Sequence, residues 1–320
     1  MKRILLFGIA ASLIFGVACD KEENAIETNF DFDYALFPGE KEDYLAPEFS
    51  EQYPFNHKRV LLEDYTGHTC GNCPGAAKVA KELVEKYGKD FIVPVAVHSS
   101  AGADAPSSFQ APRPPSFGKY QREFLFPEAL EYGNFFNVFS NPLGMINRVK
   151  DGAGVYVFGK STWENLIQTE LSKELEANLQ IVLRYYEETR GLFVHIEAKP
   201  EVDDVRENLG VMTWLVEDTI IDWQLNYQSS GGDPDLPDGD IEDYVHEHTL
   251  VGTISGAWGE DLGIPFYEEN AQEFAYSQVI DHKHGGKMQV VAMIYDKNTF
   301  EILQVADQHF QVAHIEANEE

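Results

Sequence analysis

Two cysteines, Cys70 and Cys73, stand between an apolar run and a helical pattern, and this placement constrains the fold more than any other feature. Residues 60–65 (VLLEDY) predict a buried strand leading into the cysteines. Apolar residues then recur at spacings of three and four over residues 76–87, which predicts one face of a helix. A second apolar run, residues 91–97, predicts another buried strand. We therefore expect the cysteines at a strand-to-helix junction inside a βαβ unit.

A cysteine pair at such a junction is the arrangement of thioredoxin-like proteins, and it has a chemical consequence. Free amide groups and the helix dipole at a helix N-terminus stabilise a thiolate and lower its pKa. We expect Cys70 to be the attacking thiol because it is nearer the exposed end of the helix. Cys73, one turn further on, would then resolve the mixed disulfide, so the sequence predicts a dithiol–disulfide site.

Three other interpretations of the cysteine pair stay open from the sequence alone. The pair would serve as a structural disulfide, although closing so short a loop stabilises a chain by only about 2 kcal/mol. It would bind zinc or copper together with His68, although no fourth ligand is evident. It would also be a redox-capable pair whose biological role has been lost. The sequence assigns no cofactor and no metal to the chain.

Two further residues are expected to shape the site. In thioredoxin-like proteins a cis-proline precedes a strand beside the cysteines, and Pro142 stands in that position, although an ordinary trans turn proline remains the alternative. His68 lies in the turn just before Cys70. Residues 99–127 are rich in Ser, Pro, Gly and Ala and are interpreted as an inserted loop over the site.

The remaining elements of this half of the chain complete an α/β domain. A helix is predicted within residues 127–139, a strand near residues 155–158 and a helix over residues 162–171. Together with the βαβ unit they define a thioredoxin-like domain, which we predict to span residues 56–173.

Alternating apolar and polar residues replace the helical period in the second half of the chain. Two hairpins are predicted, over residues 179–198 and 287–306, with a further strand over residues 209–217. Short strands separated by turns favour an all-β antiparallel sandwich, which we predict over residues 174–320.

Two groups of polar residues in this half resemble metal ligands. The acidic loop over residues 229–240 would offer oxygen ligands to calcium, but Pro237 stands where the EF-hand spacing needs a ligand. A solvated acidic loop is the favoured interpretation. Histidines alternate in two short runs, and surface positions on strands are favoured over a zinc or copper site for these residues, His246, His248, His282 and His284.

The N-terminus has the features of an export signal. A short basic start is followed by apolar residues 4–17, too few to span a bilayer comfortably. Small residues then precede Cys19 in a pattern that resembles a bacterial lipobox. We predict a lipoprotein signal peptide over residues 1–18 and lipidation of Cys19, with an ordinary signal peptide as the alternative.

An acidic segment follows the proposed lipidation site. Residues 20–23 resemble the surface-export signal of Bacteroidetes lipoproteins, and residues 19–55 are predicted to form an acidic tether. The whole chain carries a formal net charge of −30, which repels phosphate backbones, so nucleic acid is excluded as a partner.

Several segments together resemble the outer membrane protein 28-related lipoproteins of Bacteroidetes. These segments are Cys19 with its lipobox, residues 64–74 around the cysteine pair, residues 142–148, residues 244–258 and the closing hairpin over residues 290–306. The resemblance implies a thioredoxin-like domain followed by an immunoglobulin-like sandwich, without a defined activity. Gly71 and Asn72 replace the Gly-Pro of thioredoxin, and no tryptophan precedes Cys70, so the redox direction stays open.

Two functional hypotheses follow. The first is an exported thiol-disulfide oxidoreductase, or a redox-dependent binding protein, held in the outer membrane by lipid on Cys19 and acting on a protein thiol or disulfide. The second is a non-enzymatic surface binding or adhesion lipoprotein whose disulfide is structural or vestigial. Exposure on the cell surface and a periplasm-facing location both remain open.

Overall fold

β-Strands dominate the fold, which is given by a computed structural model that describes residues 32–202, 207–262, 271–281 and 287–313. The longer helices are α1 Cys73–Tyr87, α2 Pro127–Phe135 and α3 Trp163–Leu171. The strands are β1 Val60–Tyr65, β2 Ile92–Val97, β3 Leu143–Ile146, β4 Ala177–Tyr186, β5 Gly191–Pro200, β6 Leu209–Asp218, β7 Ile220–Asn226, β8 Gly239–His246, β9 Thr249–Thr253, β10 Glu260–Asp261, β11 Gln272–Val279, β12 Lys287–Asp296 and β13 Ile302–His309. The predicted signal peptide and Cys19 lie outside the described residues.

The predicted βαβ unit is confirmed. Strands β1 and β2 pair in parallel, and α1 connects them. Apolar side chains of α1, among them Ala76, Ala80 and Leu83, pack with Val60 and Leu62 of β1 in one buried cluster. Helix α1 begins at Cys73, three residues earlier than the apolar spacing predicts, because a proline directly after its first residue is compatible with the first turn of a helix.

A single eight-stranded sheet runs through most of the molecule. Its strand order is β13-β12-β6-β9-β2-β1-β3, with β10 paired to β6. Strands from the first and second halves of the chain meet in this sheet at the short pairing of β2 with β9. The Ala96 amide of β2 donates to the His248 carbonyl at 2.8 Å, and Ala96 is in register with Thr249 of β9. Strands before and after residue 173, the predicted domain boundary, therefore share hydrogen bonds. Local sequence patterns did not reveal this pairing, and the domain boundary itself stays a prediction.

A second sheet packs against one face of the first. Its strand order is β11-β5-β4, and the predicted hairpins β4–β5 and β12–β13 are both confirmed as antiparallel pairs. Apolar residues of the two sheets fill the space between them, for example Leu179, Val194, Val211 and Val290. The second half of the chain thus contains two facing sheets of mainly antiparallel strands.

Part of the segment predicted as a tether contacts this second sheet. Phe32 is buried against Phe193 and His195 of β5 in edge-to-face contacts. The Tyr44 hydroxyl lies 2.6 Å from Nε2 of His195. In the described ranges we find no helix with the length and apolar character needed to cross a bilayer.

Strands β7 and β8 form a two-stranded sheet of their own. We call residues 220–246, which comprise these strands and the loop between them, the 220–246 hairpin. Its two ends leave the large sheet at residues with left-handed backbone, Thr219 at φ 73° and His248 at φ 51°. The Asp218 carboxylate accepts the His248 amide at 3.0 Å and holds these two ends together.

Candidate redox site

The two predicted cysteines form a disulfide at the start of α1. Their Cα atoms lie 5.4 Å apart, and the Cys73 amide donates to the Cys70 carbonyl at 3.1 Å. Cys73 is the first residue of α1, so Cys70 lies just before its N-terminus. The amides of the first helical turn are therefore close to the sulfur atoms, where they stabilise a thiolate.

His68 lies buried in the turn before Cys70. One ring nitrogen, Nε2, is 3.2 Å from the Ala111 carbonyl, and the ring packs edge-on against Tyr120 and Phe124. Burial lowers the pKa of His68 below its usual value. Its contacts join the cysteine turn to the loop over residues 99–127, which covers the site as predicted.

Pro142 follows a cis peptide bond, as predicted. It directly precedes β3, whose residue Leu143 is in register with Tyr65 at the end of β1. The Gln110 side-chain amide donates to the Thr66 carbonyl at 2.6 Å and to Asn141 Oδ1 at 3.0 Å. Pro142 thus lies at the end of the sheet from which the cysteine turn departs.

Asp64 is a candidate functional residue that the sequence reasoning missed. It lies near the end of β1, is only 4% exposed, and its Oδ1 atom has no hydrogen-bond partner among the described residues. Burial raises the pKa of Asp64 to about 7, against the opposing charge of Lys160. Asp64 and Cys73 line one cavity of about 30 Å³, which is large enough for a water molecule. The available signal was a carboxylate within an apolar strand, six residues before Cys70.

Two buried histidines line the same cavity. The rings of His98 and His246 are 5.4 Å apart, and His98 stacks on Phe124. Burial lowers the pKa of His98 well below its usual value and that of His246 to about 3, so both rings are neutral at physiological pH. The prediction that His246 lies on a strand surface is wrong, because the residue is only 5% exposed.

The 220–246 hairpin covers the cysteine turn through main-chain hydrogen bonds. The Leu225 amide donates to the His68 carbonyl at 2.9 Å, and the Tyr227 amide donates to the Gly71 carbonyl at 2.7 Å. The Gln224 side-chain amide donates to the Cys70 carbonyl at 3.1 Å. An extended segment therefore runs along the cysteine turn.

Close packing accompanies these hydrogen bonds. The Tyr227 ring lies so near the Gly71 Cα that any side chain at this position would collide with the ring. Cys70 is 2% exposed and Cys73 is 1% exposed. Gly71, which stands where thioredoxin also has glycine, thus provides the clearance that the hairpin needs. The covering of the disulfide was not predicted from the sequence.

Charged groups fasten the loop of the hairpin to the rest of the molecule. Lys78 of α1 pairs with Asp235 and lies 3.4 Å from a carboxylate oxygen of Asp233. The Lys160 ammonium donates to the Gly231 carbonyl at 2.7 Å, and Lys119 pairs with Asp240. Three acidic residues of the loop considered for calcium therefore pair with lysines, namely Asp233, Asp235 and Asp240.

In the described part of the chain, no three His, Cys, Asp or Glu side chains lie close enough together to hold a metal ion. Cys70 and Cys73 bond to each other rather than to a shared metal with His68. His248 pairs with Asp218 at 2.7 Å. His282 and His284, the other predicted histidine pair, lie outside the described residues.

The fold and the site together define a β-rich protein that carries a helix-terminal disulfide under a hairpin. The family model described as outer membrane protein Omp28 matches residues 129–314, and the chain belongs to this family. The predicted family and outer-membrane location are thus confirmed. The matched range begins after the cysteine pair, so the family match does not include Cys70 and Cys73.

Two solved structures are among those similar to this chain. HBP35 of Porphyromonas gingivalis is 16% identical, with a TM-score of 0.58 over 82% of this chain and 79% of that chain, which indicates a shared fold. A domain of the outer membrane lipoprotein Omp28 from Porphyromonas gingivalis is 19% identical over 43% of this chain and 88% of that one, with a TM-score of 0.27. No curated protein matches the chain.

Proposed function

We propose that the chain is an outer-membrane lipoprotein with thiol-disulfide oxidoreductase activity, centred on Cys70 and Cys73. The observation that carries this proposal is the buried carboxyl group of Asp64, which lines the same cavity as Cys73. Burying a carboxyl group is costly, and a purely structural disulfide gives no reason to keep one in the same cavity. A resolving thiol must lose a proton before it can attack, and a carboxylate in the shared cavity can accept that proton.

Reduction of a substrate disulfide would take place in two steps. The Cys70 thiolate attacks one sulfur of a substrate disulfide; the substrate S–S bond breaks, and a mixed disulfide forms with one substrate thiolate released. Cys73 then loses its proton to Asp64 and attacks Cys70 Sγ, which releases the second substrate thiolate. Two electrons pass to the substrate, the Cys70–Cys73 disulfide reforms, and a dithiol reductant restores the pair.

Asp64 suits the role of proton acceptor. With a pKa of about 7, it takes up and returns a proton near neutral pH without a large free-energy cost in either direction. The cavity of about 30 Å³ that it shares with Cys73 has room for one water molecule to carry the proton between them. His68 and Pro142 would position the cysteine turn and would not take part in proton transfer.

We also propose a thioredoxin-like domain over residues 56–173. Parallel β1 and β2 joined by α1, followed by α2, an antiparallel β3 and α3, are in the order that this fold requires. The facing sheets of the second half support an immunoglobulin-like sandwich over residues 174–320. Anchoring through lipid on Cys19, after removal of residues 1–18, accords with the family's outer-membrane location.

The test of the activity uses trapping of the mixed disulfide with insulin as the substrate. After reduction of the pair, the Cys73→Ser variant should accumulate a covalent insulin adduct at Cys70, and Cys70→Ser should not. The parent should reduce insulin with turnover when dithiothreitol is supplied, and Asp64→Asn should slow this turnover at pH 7. Absence of both the adduct and the turnover would contradict the proposal.

A non-enzymatic binding lipoprotein is the second candidate. The observation that favours it is the burial of Cys70 and Cys73, which are 2% and 1% exposed, since a working disulfide must meet its substrate. Under this alternative the pair is structural, and the protein reduces no insulin even when the 220–246 hairpin is loosened.

A further inference from the structure

The 220–246 hairpin occupies the approach to the disulfide, and its attachments differ from those of the surrounding strands. Strands β7 and β8 pair with each other and form a sheet separate from the eight-stranded sheet. The hairpin contacts the cysteine turn through two main-chain hydrogen bonds, from Leu225 and Tyr227, and through Gln224. Displacing the hairpin would leave every strand pair of both larger sheets intact.

The hairpin has hinge points at both ends. Thr219 is a β-branched residue at φ 73°, a conformation that such side chains rarely adopt, and His248 lies at φ 51°. The strain therefore lies at Thr219, and strained backbone is found where chains switch between arrangements. Because Asp218 accepts the His248 amide, the two ends of the hairpin lie side by side.

The loop of the hairpin is held by charge. Lys78 pairs with Asp233 and Asp235 beside α1, and Lys160 donates to the Gly231 carbonyl. The Lys78 and Asp235 side chains are 28% and 75% exposed, and ion pairs in such exposed positions contribute little to stability. These loop contacts can be released without unfolding the molecule, and the buried side chains of Gln224 and His246 would leave the site together with the hairpin.

We propose that the 220–246 hairpin is a displaceable cap that closes the Cys70–Cys73 site by occupying the position of an extended polypeptide substrate. Its segment 224–227 donates main-chain hydrogen bonds to the carbonyls of His68 and Gly71, as an added strand does in peptide recognition. This inference rests on the proposed oxidoreductase function for the identity of the substrate, but the opening of the cap is measurable without it.

The first test compares two lysines on the same helix. Lys78→Met removes the ion pairs to the hairpin, and Lys86→Met, the matched control, removes the pair with Glu164 away from it. Reduction of the disulfide by tris(2-carboxyethyl)phosphine should be about two- to fivefold faster in Lys78→Met and unchanged in Lys86→Met. Equal rates in the parent and both variants would overturn the proposal.

Hydrogen exchange provides an independent measure of opening. The amides of Leu225 and Tyr227 should exchange at least tenfold faster than those of Val291 in β12 and Val216 in β6, and faster again in Asp235→Asn. Asp235 is mostly exposed, so this second variant keeps the fold if Lys78→Met does not. Exchange of all four amides at one common rate would mean that the hairpin opens only on global unfolding, and would overturn the cap.

Insulin turnover separates failure of the cap from failure of the oxidoreductase proposal. If Lys78→Met is reduced faster and turns over insulin faster than the parent, both proposals hold. If its disulfide is reduced faster but neither protein turns over insulin, the cap stands and the oxidoreductase function fails. If the parent turns over insulin while reduction rates and exchange show no local opening, the oxidoreductase stands and the cap fails.

Discussion

Arg148 and Glu63 form a bidentate ion pair whose side chains are both fully buried. Arg148 Nε and Nη2 donate to the two carboxylate oxygens of Glu63, each at 2.9 Å. The guanidinium group also lies 4.8 to 5.3 Å from the centres of three aromatic rings, Tyr132, Phe136 and Trp214. The ion pair links Glu63 of β1 to Arg148, which lies two residues after the end of β3. The contact of Arg148 with the Trp214 ring extends this link to β6.

Removing the charge of Glu63 should destabilise the protein strongly. In Glu63→Gln the Arg148 guanidinium stays buried without a counter-charge, and a loss of about 3 to 5 kcal/mol in the free energy of unfolding is expected. Urea denaturation at pH 7 measures it. The control is Glu164→Gln, which breaks the exposed pair with Lys86 and should leave the free energy of unfolding nearly unchanged. Equal losses in the two variants would contradict the burial argument.

Asp64 should make stability depend on pH. Its pKa of about 7 in the folded protein lies above the ordinary 3.8, so the folded state binds the proton more tightly and loses stability as pH rises through this range. Asp64→Asn removes that loss. Between pH 4 and pH 8 the parent should lose on the order of 4 kcal/mol relative to the variant.

Denaturation curves at pH 4, 6 and 8 for both proteins check this expectation. Asp104→Asn, a change at an exposed carboxylate, serves as the control and should follow the parent at each pH. A constant difference between Asp64→Asn and the parent at all three pH values would show that Asp64 does not titrate in this range.

Gly144 should tolerate no side chain. A Cβ atom built there would lie 2.5 Å from the Trp163 ring and 2.8 Å from the Glu63 carbonyl oxygen. Gly144→Ala should therefore cost about 1 to 3 kcal/mol through overpacking. Gly152→Ala is the matched control, because nothing lies within 4 Å of its added methyl group, and its effect should stay within about 0.5 kcal/mol. Thermal denaturation of the two variants decides the matter.

Loss of the disulfide should be mild. The Cys70–Cys73 bridge closes a very short loop, and the chain-entropy relation gives about 2 kcal/mol for its contribution. The double variant Cys70→Ala/Cys73→Ala should remain folded and should match the reduced parent in urea denaturation. Complete unfolding of the double variant at 37 °C would favour the structural interpretation of the pair.

Local patterns predicted the elements of the fold but not their partners. The strand at residues 60–65 and the hairpins were evident because apolar periodicity follows directly from which face is buried. The pairing of Ala96 with Thr249 was not evident, because it joins residues 153 positions apart through a single register pair. The cis bond at Pro142 was predicted from its place before a strand near the cysteines.

The candidate site was predictable only in its cysteines, His68 and Pro142. Asp64 is one of two adjacent acidic residues in strand β1, and nothing local reveals that it is buried with its Oδ1 atom unpartnered among the described residues. Gln224 and Tyr227 lie in a stretch for which no element was predicted, and their role depends on hydrogen bonds to main-chain carbonyls more than 150 positions away. Such contacts leave no periodic pattern in the sequence.

The hydrogen bond from Ala96 to His248 limits where the gene for this chain can be divided, in evolution or by engineering. A gene cut near residue 173 would yield an N-terminal piece whose β2 keeps β1 but loses β9, and an exposed strand edge invites self-association. We therefore expect this piece to associate with itself when it is expressed alone. Truncation of the chain or recombination of its gene near residue 173 should therefore give unstable products, although the residue pattern changes there from helical to alternating.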